Sequence, residues 1–322
     1  IGFNQNSILD YENSFNTLQN YTHYKVEFPN NNIQLTKGGN YLVSVLDKNQ
    51  QVMLTRRFVL YENETTVGVA VLRSRNTTTS NQQQTVQFTI NYNNRTIKNP
   101  SQLIKVALLQ NNIWETAITN LKPQFFRNNQ LVYKHFDKAN FWNGNEYLNF
   151  DTKQIRNSTI QISRAEKKDI YHTYLYPKEN RGLKPYTYFP DINGQFVVRT
   201  IEANNSNTEA DYSMVHFSLE SEKIDTDVYV YGAFNDFSTT PENRMSFNSD
   251  TNMYEISMLF KQGFYNYTFA TIDQNNTINT HLLNGSFHQT ENEYTVLVYY
   301  KAFGENFYRA IGFGSGRINQ QE

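Results

Sequence analysis

The chain contains no cysteine among its 322 residues. This absence excludes disulfide bonds, thiol catalysis and zinc–thiolate sites. Secreted eukaryotic β-proteins of this length usually carry disulfides, so the absence favours a cytosolic or a bacterial envelope protein. The chain begins at Ile1 without an initiator methionine, a basic segment or an apolar leader. We therefore expect a mature or trimmed product.

Charged residues and long apolar runs are also scarce. Charged residues make up 18% of the chain and the formal net charge is −1, so no basic field exists that would attract nucleic acid. No apolar run approaches the ~20 residues that a membrane-spanning helix needs. We expect a protein that neither binds nucleic acid nor spans a membrane.

Aromatic residues are abundant, with 23 tyrosines and 23 phenylalanines that bring the aromatic share to 15%. Tyrosine and phenylalanine favour strands, while the many asparagines favour turns and caps. A chain of this length accommodates two or three domains of sandwich size, each with its own core. The composition therefore predicts an all-β fold.

The segment 228–270 shows the clearest alternation of side chains with a period of two. Its runs at 228–231, 254–260 and 264–270 predict three antiparallel strands. The short connection 261–263, which ends in glycine, predicts a hairpin between the last two strands. We expect these strands to place Tyr229, Tyr231, Tyr265 and Tyr267 on one face, and Val228, Val230, Phe264 and Asn266 on the other.

Similar runs along the chain predict tandem Ig-like β-sandwich domains. We expect the remainder of an N-terminal Ig-like domain at 1–61, a central β-sandwich with long loops at 62–201 and a C-terminal sandwich at 202–322. Three strands predicted in 1–61 cannot close a sandwich, so we expect this domain to be N-terminally truncated. The strands predicted outside 228–270 are 24–28, 40–46, 52–61, 67–72, 85–91, 104–109, 131–136, 146–150, 196–201, 212–219 and 294–300.

Three segments have weaker patterns. The stretch 164–176 fits a helical turn or, equally, a polar connector with an aromatic end. The stretch 176–193 is rich in proline and tyrosine, which excludes a central strand and predicts an extended loop over a surface. The glycine-rich end at 310–316 is expected to be flexible.

No residue pattern indicates catalysis, a cofactor or a metal site. The six histidines form no HExxH motif and have no helical spacing for a metal, and His216 is interpreted as a hydrogen-bonded strand residue. The serine in 312–316 is misplaced for a nucleophile elbow. Trp114 and Trp142 are interpreted as core or loop residues, with Trp142 expected to fill a core. We expect a protein that is not an enzyme.

The string YVYGAFNDF at 229–237, with the later GFYNYTF at 263–269, resembles the early-set Ig-like domains related to glycogen-binding modules. The resemblance implies an early-set sandwich for 202–322. Those modules typically carry one tryptophan where Phe237 stands and a second where Tyr254 stands. The departure at both positions argues against glycan binding while leaving the fold intact.

Longer strings, in order along nearly the whole chain, resemble the plug protein family of the type IX secretion system. They include YENSFNTLQ at 11–19, VGVAV at 67–71, KVALLQNN at 105–112, AITNLKP at 117–123, KPYTY at 184–188 and YTVLVYY at 294–300. The resemblance implies a protein on the periplasmic face of the outer membrane of a Gram-negative bacterium. Its implied partner is the large translocon β-barrel of that membrane with its associated complex, which the protein seals by steric occlusion.

A carbohydrate-binding or envelope-associated β-sandwich module without catalysis is the alternative. Such a module needs an exposed, coplanar aromatic pair, whereas a plug needs extended loops and a large mixed interface. For partner binding we select aromatic residues of the predicted loops. They are Tyr186, Tyr188 and Phe189, with Phe234 and Phe237 as a second patch.

Overall fold

The computed structural model describes residues 6–93, 97 and 99–318. Within these ranges β-strands are the main regular structure, and the helices are single turns. The predicted all-β fold is therefore confirmed.

The chain divides into two compact units. Unit 1 is formed by 28–141 and the described part of 291–322, whereas unit 2 is formed by 6–27 and 142–290. Each unit combines stretches from more than one of the three predicted segments. The segment boundaries after 61 and 201 stay a prediction.

The described residues contain twenty-four strands, two short α-helices and two 3-10 turns at Ala233–Asn235 and Pro241–Asn243. The first strands are β1 (Asp10–Asn13), β2 (Thr22–Lys25), β3 (Gly39–Leu46), β4 (Val52–Leu60), β5 (Thr65–Arg73), β6 (Gln83–Asn91), β7 (Ile104–Gln110), β8 (Ile113–Thr119), β9 (Phe125–Arg127), β10 (Gln130–Tyr133), β11 (Asn140–Trp142) and β12 (Leu148–Asp151). The remaining strands are β13 (Ile162–Lys167), β14 (Tyr171–Leu175), β15 (Lys178–Glu179), β16 (Phe196–Val198), β17 (Tyr212–Glu220), β18 (Val228–Tyr231), β19 (Ser246–Asn248), β20 (Met253–Lys261), β21 (Gly263–Ile272), β22 (Ile278–Asn279), β23 (Glu293–Tyr300) and β24 (Arg309–Arg317). The helices are α1 (Pro100–Leu103) and α2 (Ser206–Glu209).

Nine strands of unit 1 form one sheet, in the order β8–β7–β23–β24–β5–β6–β10–β9 with β11 beside β6. Strands β7 and β23 are buried on both faces: Leu108 and Val296 enter the main core, and Leu109 and Leu297 enter a smaller cluster. Burial on both faces explains why β7 has a continuous apolar run instead of an alternating pattern.

The glycine-rich end of the chain is the strand β24, so the predicted flexibility of 310–316 is wrong. It pairs with β23 on one side and runs parallel to β5 on the other. A Cβ atom on Gly314 would lie 2.7 Å from Cβ of Val67, and one on Gly316 would lie 2.9 Å from Cγ1 of Val69. The alternate glycines therefore let β5 approach closely, a use of glycine that their sequence pattern does not distinguish from flexibility.

Two sheets form a sandwich in unit 2. One has the order β12–β21–β16 with β18 and β22 also on β21, and the other has the order β13–β14–β17–β20–β19 with β15 on β17. Aromatic rings fill the core: Phe150 contacts Phe217 edge-on at a centroid distance of 5.7 Å and stacks on Tyr265 at 5.2 Å. The high aromatic content thus serves mainly as core in this unit.

The predicted hairpin between β20 and β21 is wrong, because the two strands belong to different sheets. The chain crosses the sandwich at Gln262, which is buried and donates its backbone N–H to the carbonyl oxygen of Asp211 at 2.7 Å. A Cβ atom on Gly263 would collide with the backbone of Val197. This glycine is required by close packing instead of by a tight turn.

The predicted grouping of four tyrosines on one face is also wrong. Tyr231 lies opposite Thr268, and Val230 lies opposite Phe269. Opposed residues in an antiparallel pair point to the same face, so Val230 shares the core face with Tyr265 whereas Tyr231 points to the other face. Alternation within a strand is visible in the sequence, but the register between strands is not.

The stretch 164–176 contains neither a helix nor a polar connector. Strands β13 and β14 form an antiparallel hairpin there, with Lys167 opposite Tyr171. Tyr171, Thr173 and Leu175 are buried while the residues between them are half-buried. Alternating burial of this kind stabilises a strand even where the sequence is polar enough to resemble a helical turn.

Candidate functional site

The loop 176–193, in which the sequence analysis placed three aromatic contact residues, lies on the body of unit 2. It follows β14 directly, and its short strand β15 pairs in parallel with β17. Further along, the N–H of Arg181 donates to the carbonyl oxygen of Leu283 at 2.8 Å. The loop is therefore attached to unit 2 by backbone hydrogen bonds near its start.

A buried carboxylate holds the middle of the loop. Glu146 is 1% exposed, and the hydroxyl of Tyr186 donates to its Oε1 at 2.5 Å. The Tyr186 ring also contacts the Phe287 ring at a centroid distance of 5.4 Å. Both the hydroxyl and the ring of Tyr186 thus contact unit 2 and attach the loop to it.

Arg181 adds a second attachment beneath the loop. Its Nη2 donates to the backbone oxygen of Glu146 at 3.1 Å and to Oδ1 of Asn284 at 3.3 Å. Burial lowers the pKa of its guanidinium to about 10, although the nearby Tyr267, Glu146 and Asp191 act in the opposite direction. The side chain remains charged at neutral pH and forms charge-assisted hydrogen bonds.

The end of the loop is fixed by Asp191. Its Oδ2 accepts the N–H of Tyr147 at 2.5 Å, and its Oδ1 accepts the N–H of Asn193 at 2.7 Å. The N–H of Ile192 donates to Oδ1 of Asn266 on β21 at 2.6 Å. With attachments at both ends and in the middle, the loop is a firmly held surface segment despite its lack of regular structure.

Large apolar side chains remain exposed on and beside this loop. Leu183 is 103% exposed, Tyr188 51%, and Leu282 on the neighbouring segment 48%. A Cβ atom on Gly182 would collide with the backbone oxygen of Leu282, so the two segments are in direct contact. We call Leu183, Tyr188 and Leu282 the loop surface.

The five predicted contact residues divide into two groups. Tyr188 is exposed, whereas Tyr186 and Phe189 are half-buried. Phe234 packs edge-on against Phe260 at 4.9 Å, and Phe237 is buried against Tyr231 at 5.4 Å. The second group therefore contributes its rings to the interior of unit 2.

Leu183 and Leu282 are not among the predicted contact residues, because leucines in loops carry no periodic signal. The predicted core position of Trp142 is wrong, since this side chain is 40% exposed and stacks on His281 at 4.3 Å. Trp114 is half-buried, and Arg57 lies over its ring at 5.4 Å.

The positions that correspond to the tryptophans of glycogen-binding modules are not surface positions. Phe237 is 7% exposed and Tyr254 is 4% exposed. The Tyr254 hydroxyl accepts the N–H of Ile224 at 2.9 Å, as an internal residue would. These two positions therefore lack the exposed aromatic pair that glycan binding in the manner of those modules requires.

No group of three or more histidine, aspartate or glutamate side chains in 6–93, 97 and 99–318 is arranged to hold a metal ion. Over the same ranges, no helix combines the length and apolar character required to traverse a bilayer.

Comparison with known proteins relates the chain to one family model and to solved structures. Residues 1–62 match the family model described as the first domain of the type 9 secretion system plug protein. The whole chain is similar to a crystal structure of a hypothetical protein from Parabacteroides merdae ATCC 43184, with a TM-score of 0.95 and 30% sequence identity. The match covers 98% of this chain and 81% of that chain. No curated protein matches the chain.

Proposed function

We propose that this chain, whose residues 1–62 match the first domain of the type 9 secretion system plug protein, is a periplasmic plug of that system's outer-membrane translocon. The plug would bind the translocon barrel and seal it by steric occlusion. The observation that carries the proposal is the family match of residues 1–62, supported by the similarity of the whole chain to one solved structure.

The loop surface is our proposed contact with the translocon. Interface energy is concentrated in a few apolar and aromatic anchors surrounded by polar residues. Leu183 and Tyr188 are exposed side chains of this kind, and the bonds from Tyr186 and Asp191 hold them in place before binding. Preorganisation of this sort lowers the entropy cost of association.

Phe189 lies beside these anchors and is retained as a weaker contact. Tyr186, Phe234 and Phe237 are assigned to supporting the surface from within. A reversible plug fits this arrangement, because a mixed surface with few anchors binds less tightly than an extensive apolar interface.

Co-purification tests the proposal directly. Tagged protein is isolated from detergent-solubilised envelopes and probed for the translocon barrel. We expect the wild-type chain to retain the barrel and Leu183→Asp to weaken binding at least about tenfold, since a charge on an anchor is desolvated without a partner.

The matched control is Ile160→Asp, because Ile160 is 89% exposed and lies in unit 2 outside the loop surface. It should bind like the wild type. Absence of the barrel from the wild-type preparation would contradict the plug function itself. Equal binding by both variants, with the barrel present, would contradict only the assignment of the loop surface.

The carbohydrate-binding module remains a separate candidate with a distinct prediction. It would retain glycan without any protein partner. The burial of Phe237 and Tyr254 argues against it, and no structural observation favours it over the plug.

A further inference from the structure

Two histidines on the outer face of the unit 2 sheet share a hydrogen bond. Nδ1 of His172 on β14 lies 2.9 Å from Nε2 of His216 on β17. The other ring nitrogen of His216, Nδ1, lies 2.7 Å from Oγ of Ser257 on β20. One continuous chain of side-chain hydrogen bonds therefore crosses three neighbouring strands.

Rings and charges of the β13–β14 hairpin lie on one side of His216. Tyr174 stacks on it at 4.2 Å, and Arg164 lies over the Tyr174 ring at 4.0 Å. Lys168 and Arg164 contribute positive charge from the β13–β14 hairpin, and Glu166 between them forms ion pairs with both. The local field is therefore mainly cationic with one partly compensating carboxylate.

This environment disfavours the protonated form of His216. Burial lowers the pKa of its imidazole, and the charges of His172, Lys168 and Arg164 lower it further while Glu166 acts in the opposite direction. The pair can hold one extra proton, because a protonated ring can donate to a neutral one. Two protonated rings would point two N–H groups at each other across 2.9 Å.

We propose that His172 and His216 form an acid-sensitive clasp between the side chains of β14 and β17 that opens when the pair takes up a second proton. A doubly protonated pair loses its hydrogen bond and gains repulsion between like charges, so the two rings must separate. The clasp is a property of unit 2 and does not rest on the proposed function.

The location of the clasp gives its opening a structural consequence. Strand β14 ends at Leu175, one residue before the loop 176–193, and the loop strand β15 pairs with the same strand β17. Opening of the clasp would leave the backbone ladder between 171–174 and 213–216 and the Thr173–Ser213 hydrogen bond as the link between β14 and β17, and so would weaken the attachment at the start of the loop. Acidification is therefore expected to increase motion in the loop start while Tyr186 and Asp191 still hold its later part.

Hydrogen exchange of the purified full chain tests the clasp. Peptides covering 171–179 and 213–219 are compared at pH 7.5 and in steps down to about pH 4.5, because the lowered pKa of His216 places the opening below the ordinary histidine pKa of about 6.5. Rates are corrected for intrinsic exchange. We expect the protection factors of the wild type to fall by a factor on the order of ten, which is the change in an equilibrium constant that one pKa unit represents. In His216→Gln, whose amide keeps the hydrogen bonds but does not titrate, this fall should disappear.

His172→Gln serves as a second variant with the same expectation. His23→Gln, at a half-buried histidine of β2 outside the cluster, should retain the full response. An equal acid response in wild type and both clasp variants would overturn the proposal, as would an unchanged wild type. If the variants do not fold, NMR titration of the wild-type histidines decides: two coupled steps support the clasp, and two independent steps near the ordinary pKa contradict it.

Discussion

At the residue scale, the buried carboxylate of Glu146 determines how the 176–193 loop is held. A carboxylate that is 1% exposed needs donors around it, because burial of an unpaired charge is costly. The Tyr186 hydroxyl is one of those donors. The hydroxyl of Tyr186, a residue that the sequence suggested as a partner contact, thus points to the buried Glu146. A tyrosine at this position supplies both the hydrogen bond to Glu146 and the ring contact with Phe287.

Replacement of Tyr186 by phenylalanine isolates this bond. Tyr186→Phe keeps the ring contact with Phe287 and removes one donor to the buried carboxylate. We expect the free energy of unfolding to fall by about 1–3 kcal/mol, the cost of an incompletely satisfied buried group. Urea denaturation monitored by fluorescence measures the change.

The matched control for this prediction is Tyr176→Phe, at a tyrosine of the same loop that is 48% exposed. A surface hydroxyl contributes within about 0.5 kcal/mol, so its removal should leave the midpoint nearly unchanged. Equal midpoints for the two variants would show that the Glu146 bond contributes no net stability.

At the element scale, the sequence predicts strands better than it predicts their partners. The runs at 264–270 and 294–300 are strands, since alternating or continuous apolar patterns reflect burial that the strand itself experiences. Their pairing depends on distant residues. Strand β21 pairs with β18 and β12 instead of with its neighbour in the chain, β20, and no local pattern specifies that choice.

The candidate site was predictable only in part. Proline and tyrosine content located the loop 176–193, because proline excludes an interior strand. Which of its aromatic residues point outward depends on Glu146 and Phe287, which are 40 and 101 residues away from Tyr186 in the chain. Those contacts form only in the folded unit.

Strand β24 provides the prediction at this scale. Gly314→Val would place side-chain atoms where Val67 already lies, so we expect unit 1 to lose about 1–3 kcal/mol, as for other overpacked positions. Ser315→Val is the control, because Ser315 is exposed and valine favours strands. Thermal unfolding should distinguish the two variants. An unchanged Tm for Gly314→Val would mean that close approach of β5 does not require glycine at this position.

At the scale of the whole molecule, the described chain forms two units, each with its own core. Main core residues such as Val296 in unit 1 and Phe217 in unit 2 belong to separate clusters, and both clusters mix aromatic and aliphatic side chains. Each unit resists deformation because protein interiors are close-packed. Composition and periodicity predicted tandem β-sandwiches, whereas the proposed role in secretion came from resemblance along the chain.

The plug function predicts a conditional permeability defect. Deletion of the protein should make the envelope leaky to large solutes in cells that retain the translocon, because an unoccupied barrel leaves an open path. In cells that also lack the translocon, no path exists and permeability should match the parent strain. Uptake of a large dye or antibiotic that is normally excluded measures both cases.

Complementation with Leu183→Asp should restore the barrier less well than complementation with Ile160→Asp, since only the first substitution alters the loop surface. A leak of equal size with and without the translocon would place the defect elsewhere in the envelope, and an intact barrier in every strain would remove steric sealing as the function.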